Sequence, residues 1–164
     1  MEIRRASVAD AADIADVHVR TWQAAYTQVF GTERLAGLDV AARATRWARV
    51  IGDGEAVYVA DDDGRIVAFV AVGPAVDEDG RVGELYAIYA LPEAWGSGAG
   101  RSLIRAGVQA LHDAGYGEAI LWVLEDNPRA RRFYEREGWE LDGAEKEDDF
   151  LGVRVAEVRY RIAL

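Results

Sequence analysis

Leu91-Pro92-Glu93-Ala94-Trp95-Gly96-Ser97-Gly98-Ala99-Gly100-Arg101-Ser102-Leu103 stands between a β-type run, Glu84–Leu91, and a helical run reading from Gly96 to Ala110. Glycine at 96, 98 and 100 leaves backbone N–H groups uncovered by any Cβ, and a helix N-terminus adds its own N–H groups and positive dipole end. Strand, glycine turn and helix start in that order make a phosphate cradle. Spacing narrows the choice. A Walker A loop needs Gly-Lys-Ser/Thr five residues after its first glycine, where Arg101-Ser102 stand; a dinucleotide loop needs its third glycine one residue later. A tight turn without a ligand is the reading the glycines alone leave open.

Strands and helices alternate outward from this loop. Ile3 opens a short strand, and Ser7 with Asp10 reads as a helix start of capping-box type. Ile14, Val17, His18, Thr21, Trp22, Ala25 and Tyr26 follow at helical spacing. Asp39 caps a second helix with Val40, Arg43 (through its stem), Trp47, Val50 and Ile51 on one side. Glu55–Ala60 and Arg65–Val72 read as a hairpin across Asp61–Gly64, taken as a solvated turn, and Asp77–Gly80 as a loop. Ala119–Leu124 is an apolar strand, and Asn127–Glu137 a helix ended by Gly138. Trp139–Leu141 and Val153–Ile162 close as strands, with acidic Glu145–Asp149 read as a solvated connection between them. No repeat or linker divides the chain, so 1–164 is expected to be one α+β domain with a mixed sheet.

Composition excludes several classes. The chain has 164 residues, no cysteine and two histidines, His18 and His112, which rules out disulfides, a cysteine nucleophile and a Cys- or His-rich metal site. Its net charge of −10 argues against duplex nucleic acid and anionic membranes. No apolar run approaches a membrane span, and the first residues lack a signal-peptide stretch, so a cytoplasmic protein is expected.

The loop matches (Gln/Arg)-x-x-Gly-x-(Gly/Ala), and here the sequence resembles the GNAT superfamily of acetyl-CoA-dependent N-acetyltransferases. Three further blocks carry the likeness. Gly83–Pro92 is similar to the family's fourth strand. Asn127-Pro128-Arg129-Ala130-Arg131-Arg132-Phe133-Tyr134-Glu135-Arg136-Glu137-Gly138-Trp139 matches its Asn-x-x-Ala-x-x-Phe-Tyr-x-x-x-Gly-aromatic block, and Arg20–Tyr26 a first-helix pattern of many bacterial members. The resemblance spans about residues 2–162. It implies a mostly antiparallel sheet of about seven strands flanked by about four helices. One position departs: Trp95 stands where the family has Gln or Arg.

What the resemblance implies about chemistry can be weighed residue by residue. Acetyl-CoA is the expected co-substrate, with no metal. Its pyrophosphate would be held by main-chain groups of Trp95, Gly96, Ser97, Gly98, Ala99, Gly100 and Arg101. Ile88, Tyr89 and Ala90 would hold the pantetheine and acetyl carbonyl, the Ala90 N–H being the oxyanion donor. Arg101, Arg105, Arg129, Arg131 and Arg132 would offset the protein's acidic field. Asn127 reads as a helix N-cap that also contacts the cofactor. Tyr134, a phenol with a pKa near ~10, is the candidate general acid, the alternative being an aromatic packed on the sheet as expected for Phe133. Glu84 is the candidate base if its strand setting raises its pKa; Tyr86 and Tyr89 are substitutes acting through water, and a solvent-facing Glu84 is the competing reading.

Trp22 and Tyr26 are either core aromatics or walls of the acceptor site, and His18 is read as a helix-face histidine. Acidic Glu145–Asp149 can attract a cationic amine. The expected function is acetyl transfer to a primary amine, a small molecule or a peptide, by direct attack because no cysteine is available. A non-catalytic acyl-CoA-binding module is the reading from another class. The resemblance leaves a homodimer open.

Overall fold

The computed structural model describes residues 1–76 and 79–164; of the expected Asp77–Gly80 loop, Asp77 and Glu78 lie outside the described residues. Seven strands form one mixed sheet in the order β1-β2-β3-β4-β5-β7-β6. They are β1 (Glu2–Arg5), β2 (Ala56–Asp62), β3 (Arg65–Pro74), β4 (Val82–Ala90), β5 (Glu118–Leu124), β6 (Glu140–Phe150) and β7 (Val153–Ala163). The β1–β2, β2–β3, β5–β7 and β6–β7 pairs are antiparallel; β4–β5 is parallel, over Val82↔Glu118, Gly83↔Ala119 and Glu84↔Ile120.

Among the described residues the α-helices are α1 (Ala11–Ala25), α2 (Thr27–Phe30), α3 (Thr32–Ala36), α4 (Val40–Gly52), α5 (Ala99–Asp113) and α6 (Pro128–Arg136), with 3-10 turns at Val8–Asp10 and Pro92–Ala94. The four longer helices are those the sequence periodicity predicts. α2 and α3 are single turns separated by Gly31 at φ +79°, too short for an apolar period to register. No helix among the described residues is long and apolar enough to cross a membrane.

Two compact units are distinguished, Met1–Val72 with Ala87–Gly107, and Gly73–Tyr86 with Val108–Leu164. In the first, Ile14, Val17, Phe30, Val59, Phe69 and Leu103 are almost fully buried. The Asp39 carboxylate accepts from the Ala42 N–H at 3.0 Å, capping α4. The hairpin turn is Asp63-Gly64, both at positive φ, as a tight two-residue turn requires. Asp61 is not part of a solvated turn. It belongs to β2, and Arg4 donates to its carboxylate at 3.0 Å and to both oxygens of buried Asp10 at 2.9 and 3.0 Å. One guanidinium thus ties β1, β2 and the turn before α1. Asp10 also accepts from the Ser7 N–H at 2.7 Å. The Arg4 hydrogen bonds hold the Asp10 pKa down at about 2.

The second unit is centred on Trp139, Tyr160, Leu121 and Ile120. Its main departure from expectation is β6. Glu145–Asp149 is strand, and the strand runs from Glu140 to Phe150 rather than ending at Leu141. The carboxylates are accommodated because β7 presents arginines: Arg154 donates to Glu147 at 2.8 Å, and Arg159 to Asp142 at 2.6 Å. Lys146 covers the Trp122 ring at 4.3 Å.

Candidate functional site

The glycine turn begins where β4 ends. Gly96 and Gly98 have φ of +77° and +92°, and nothing lies within 4 Å of a Cβ built on either. Glycine is therefore required by backbone conformation rather than by crowding. Ser97 closes the turn, its hydroxyl donating to the Ala94 carbonyl at 2.6 Å and accepting from the Ala99 N–H at 3.3 Å. α5 starts at Ala99, three residues later than predicted, with the Gly98 carbonyl accepting from the Ser102 N–H at 3.0 Å. Arg101 and Arg105 project from the exposed side of its first two turns.

Trp95 does not extend the turn. Its indole N–H donates to the Ala90 carbonyl at 2.9 Å, and the Thr21 hydroxyl donates to the same oxygen at 3.1 Å. The Leu91 N–H donates to the Val67 carbonyl at 2.9 Å, so both ends of the Ala90–Leu91 peptide are held. This fixes the end of β4, where Ile88, Tyr89 and Ala90 are half-buried.

Tyr89 belongs to an aromatic cluster built from α1, α4, β3 and β4. The His18 ring lies parallel to it at 5.1 Å, and Trp22, Trp47 and Phe69 meet His18 edge-on at 5.8, 6.1 and 6.2 Å. Trp22 stacks on Phe30 at 5.5 Å and meets Tyr26 at 5.1 Å. Tyr26 is buried, whereas Trp22 and Tyr89 stay half-buried. The Trp47 Nε1–H donates to His18 Nδ1 at 3.3 Å. Burial first, then the charges of Arg43 and Arg46, push the His18 pKa down to about 4. It is a neutral imidazole at pH 7, on a half-buried face of α1.

In the second unit, α6 presents Asn127 and Tyr134. The Asn127 side-chain oxygen accepts from the Ala130 N–H at 3.1 Å, the N-cap expected of it. Tyr134, not Phe133, is the buried aromatic of the pair. Its ring is 6.1 Å from that of Tyr160. The buried Tyr160 hydroxyl donates to Glu135 at 2.7 Å and accepts from Arg131 at 3.1 Å. Arg131 also donates to the Glu125 carbonyl at 3.0 Å, tying α6 to the end of β5. Glu84 is half-buried at the last pair of the β4–β5 ladder. The Tyr86 hydroxyl donates to the Pro74 carbonyl.

Residues 14–139 match the model of the acetyltransferase (GNAT) family. The chain belongs to that family. It is 36% identical to the N-acetyltransferase YuaI of Bacillus subtilis over 158 residues, 95% of this chain and 89% of the relative. Ribosomal-protein-alanine N-acetyltransferase from Brucella melitensis superposes with a TM-score of 0.78 at 21% identity over 100% of both chains. The structure of yncA from Salmonella typhimurium with its cofactor acetyl-CoA superposes with a TM-score of 0.76 at 20% identity, over 99% of this chain and 93% of that one. The seven-stranded mixed sheet is the GNAT fold, and the chain is an acetyl-transferring enzyme.

For this GNAT chain the sequence reading gives Thr21, Arg43 and Trp47 only places on helix faces and Phe69 only a place in a strand run, all in the unit that holds Tyr89. Trp47 was assigned to the packing side of α4, but its bond to His18 spans 29 residues and has no local signature. Among the described residues no group of three or more His, Asp or Glu is placed to hold a metal ion.

Proposed function

We propose that this chain moves the acetyl group of acetyl-CoA to the amine of a small acceptor by direct attack, as one domain over residues 1–164 acting in the cytoplasm. The observation that carries the reading is the continuity of a pinned strand end at Ala90 with a positive-φ glycine turn and the N-terminus of α5. That arrangement suits a long ligand with a carbonyl at one end and phosphates at the other. The amides of Gly96 to Arg101 suit the pyrophosphate, with Arg101 and Arg105 adding charge. When bound, acetyl-CoA supplies an acyl group activated as a thioester. The Ala90 N–H donates to the acetyl oxygen, where negative charge develops, an effect worth a few kcal/mol when the donor is fixed beforehand. Tyr134 gives its phenolic proton to the departing sulfur; Glu84, directly or through water, takes one from the attacking amine. Half-buried Trp22 walls the acceptor, with buried Tyr26 packed against it as support. With no cysteine in the chain, a cysteinyl acyl-enzyme has no place in the sequence of steps.

Thermal unfolding with and without saturating acetyl-CoA, followed by thiol release with a panel of amines, tests the reading. A rise in Tm with acetyl-CoA and amine-dependent thiol release are expected, because a ligand bound only by the folded state stabilises it by mass action. No shift at saturating acetyl-CoA overturns it. Recovery of a covalent acetyl-protein during turnover overturns direct attack.

A further inference from the structure

Helix α4 is basic in an acidic protein. It carries Arg43, Arg46 and Arg49 and no acidic side chain, although the whole chain has 29 carboxylates against 19 basic residues. Among the described residues neither Arg43 nor Arg46 makes an ion pair. The Nε of half-buried Arg43 is shielded from solvent and has no hydrogen-bond acceptor among the described residues. A buried donor left this way costs about 1–3 kcal/mol, more when charged.

Arg43 sits one helical turn before Trp47, on the same side of α4. Trp47 donates to His18, and His18 stacks on Tyr89, the residue before the proposed oxyanion donor Ala90. The fields of Arg43 and Arg46 both reach the His18 ring. Around that ring, Trp22 and Tyr89 are only half-buried, leaving aromatic surface to meet an apolar body. A neutral His18 adds no charge of its own.

We propose that Arg43, supported by Arg46, is an anchor for a carboxylate on the acceptor, which makes the substrate class amino acids with apolar or aromatic side chains. The guanidinium fork matches a planar carboxylate with two parallel hydrogen bonds, a geometry a single neutral donor cannot reproduce. The aromatic surface of Trp22 and Tyr89 takes the side chain. The proposal rests on the acetyltransferase reading for the fate of the amine, but not for binding.

Binding is therefore the test. A panel of apolar and aromatic amino acids, their C-terminal amides and the matching aminophosphonates is titrated into the purified protein and followed by isothermal titration calorimetry. The expected result is that at least one amino acid binds ten-fold or more tightly than its amide. Arg43→Gln then collapses that ratio to about one, while Arg43→Lys keeps part of it, with circular dichroism confirming that both variants fold. Equal binding of acids and amides in the wild type overturns the proposal, as does no binding by any amino acid, tighter binding of the phosphonates, or an Arg43→Gln protein that keeps the ratio. Arg43-dependent binding without acetyl transfer would leave this inference standing and remove the activity reading. Transfer to acids and amides at equal rates would do the reverse.

Discussion

Trp95 donates its indole N–H to the carbonyl of Ala90, five residues back along the chain and across the start of the glycine turn, at 2.9 Å. A family position associated with Gln or Arg is thus occupied by a side chain that braces the strand end instead of reaching outward. Trp95→Phe keeps the ring and removes the bond. We expect kcat to fall three- to ten-fold while the KM for acetyl-CoA moves less than two-fold, measured by thiol release. A large rise in KM with kcat intact would assign Trp95 to cofactor binding.

Tyr134→Phe removes one hydroxyl from a buried ring. If that hydroxyl supplies the proton, turnover drops at least ten-fold with acetyl-CoA affinity nearly unchanged, and circular dichroism stays native. Unchanged turnover would reduce Tyr134 to a packing residue.

Tyr160→Phe acts on the same helix from below. It strips Glu135 and Arg131 of their shared partner and is expected to cost about 1–2 kcal/mol in denaturant unfolding. Because those residues flank Tyr134 on α6, kcat should fall more than the KM for acetyl-CoA. Loss of stability with unaltered kcat would show the network to be structural alone.

Asp10→Asn breaks the Arg4 clamp. Asp10 has its pKa lowered in the folded state, so its contribution is present above the ordinary carboxylate value and is lost as pH falls toward about 2. The shift corresponds to about 2 kcal/mol, and urea unfolding at pH 7 should show a loss of that order. An unfolding midpoint equal to wild type would mean the clamp contributes nothing net.

His18 gives the acid limb of the stability profile a measurable slope at higher pH than Asp10 does. The unfolded chain protonates this imidazole near pH 6.5, the folded chain only near 4, so stability is full above 6.5 and declines as pH falls through that window. Between pH 7 and 5 the expected loss is about 2 kcal/mol. His18→Gln should flatten the curve there, and a variant with the wild-type slope would locate the titration elsewhere.

Much of the fold was legible because periodicity survives in single elements. The apolar run of β5, the N-caps Asp39 and Asn127, and the glycine spacing each have a local cause. β6 was misread for a physical reason: its acidic residues are stabilised by Arg154 and Arg159 on β7, and such pairs exist only once the register is set. The turn reading of Asp61 failed likewise, since its partner Arg4 lies 57 residues away. In the site, the cradle could be read from the glycines, whereas the neutral state of His18 depends on burial and on arginines from another helix.

The charged β6 strand ends the sheet order, with six carboxylates and one lysine between Glu140 and Phe150. Any further strand adding to that edge would have to lay its backbone along a row of like charges. At neutral pH the edge is therefore protected against self-association by strand addition. Replacing those carboxylates by their amides removes the guard and makes this the border of the sheet from which aggregation should begin.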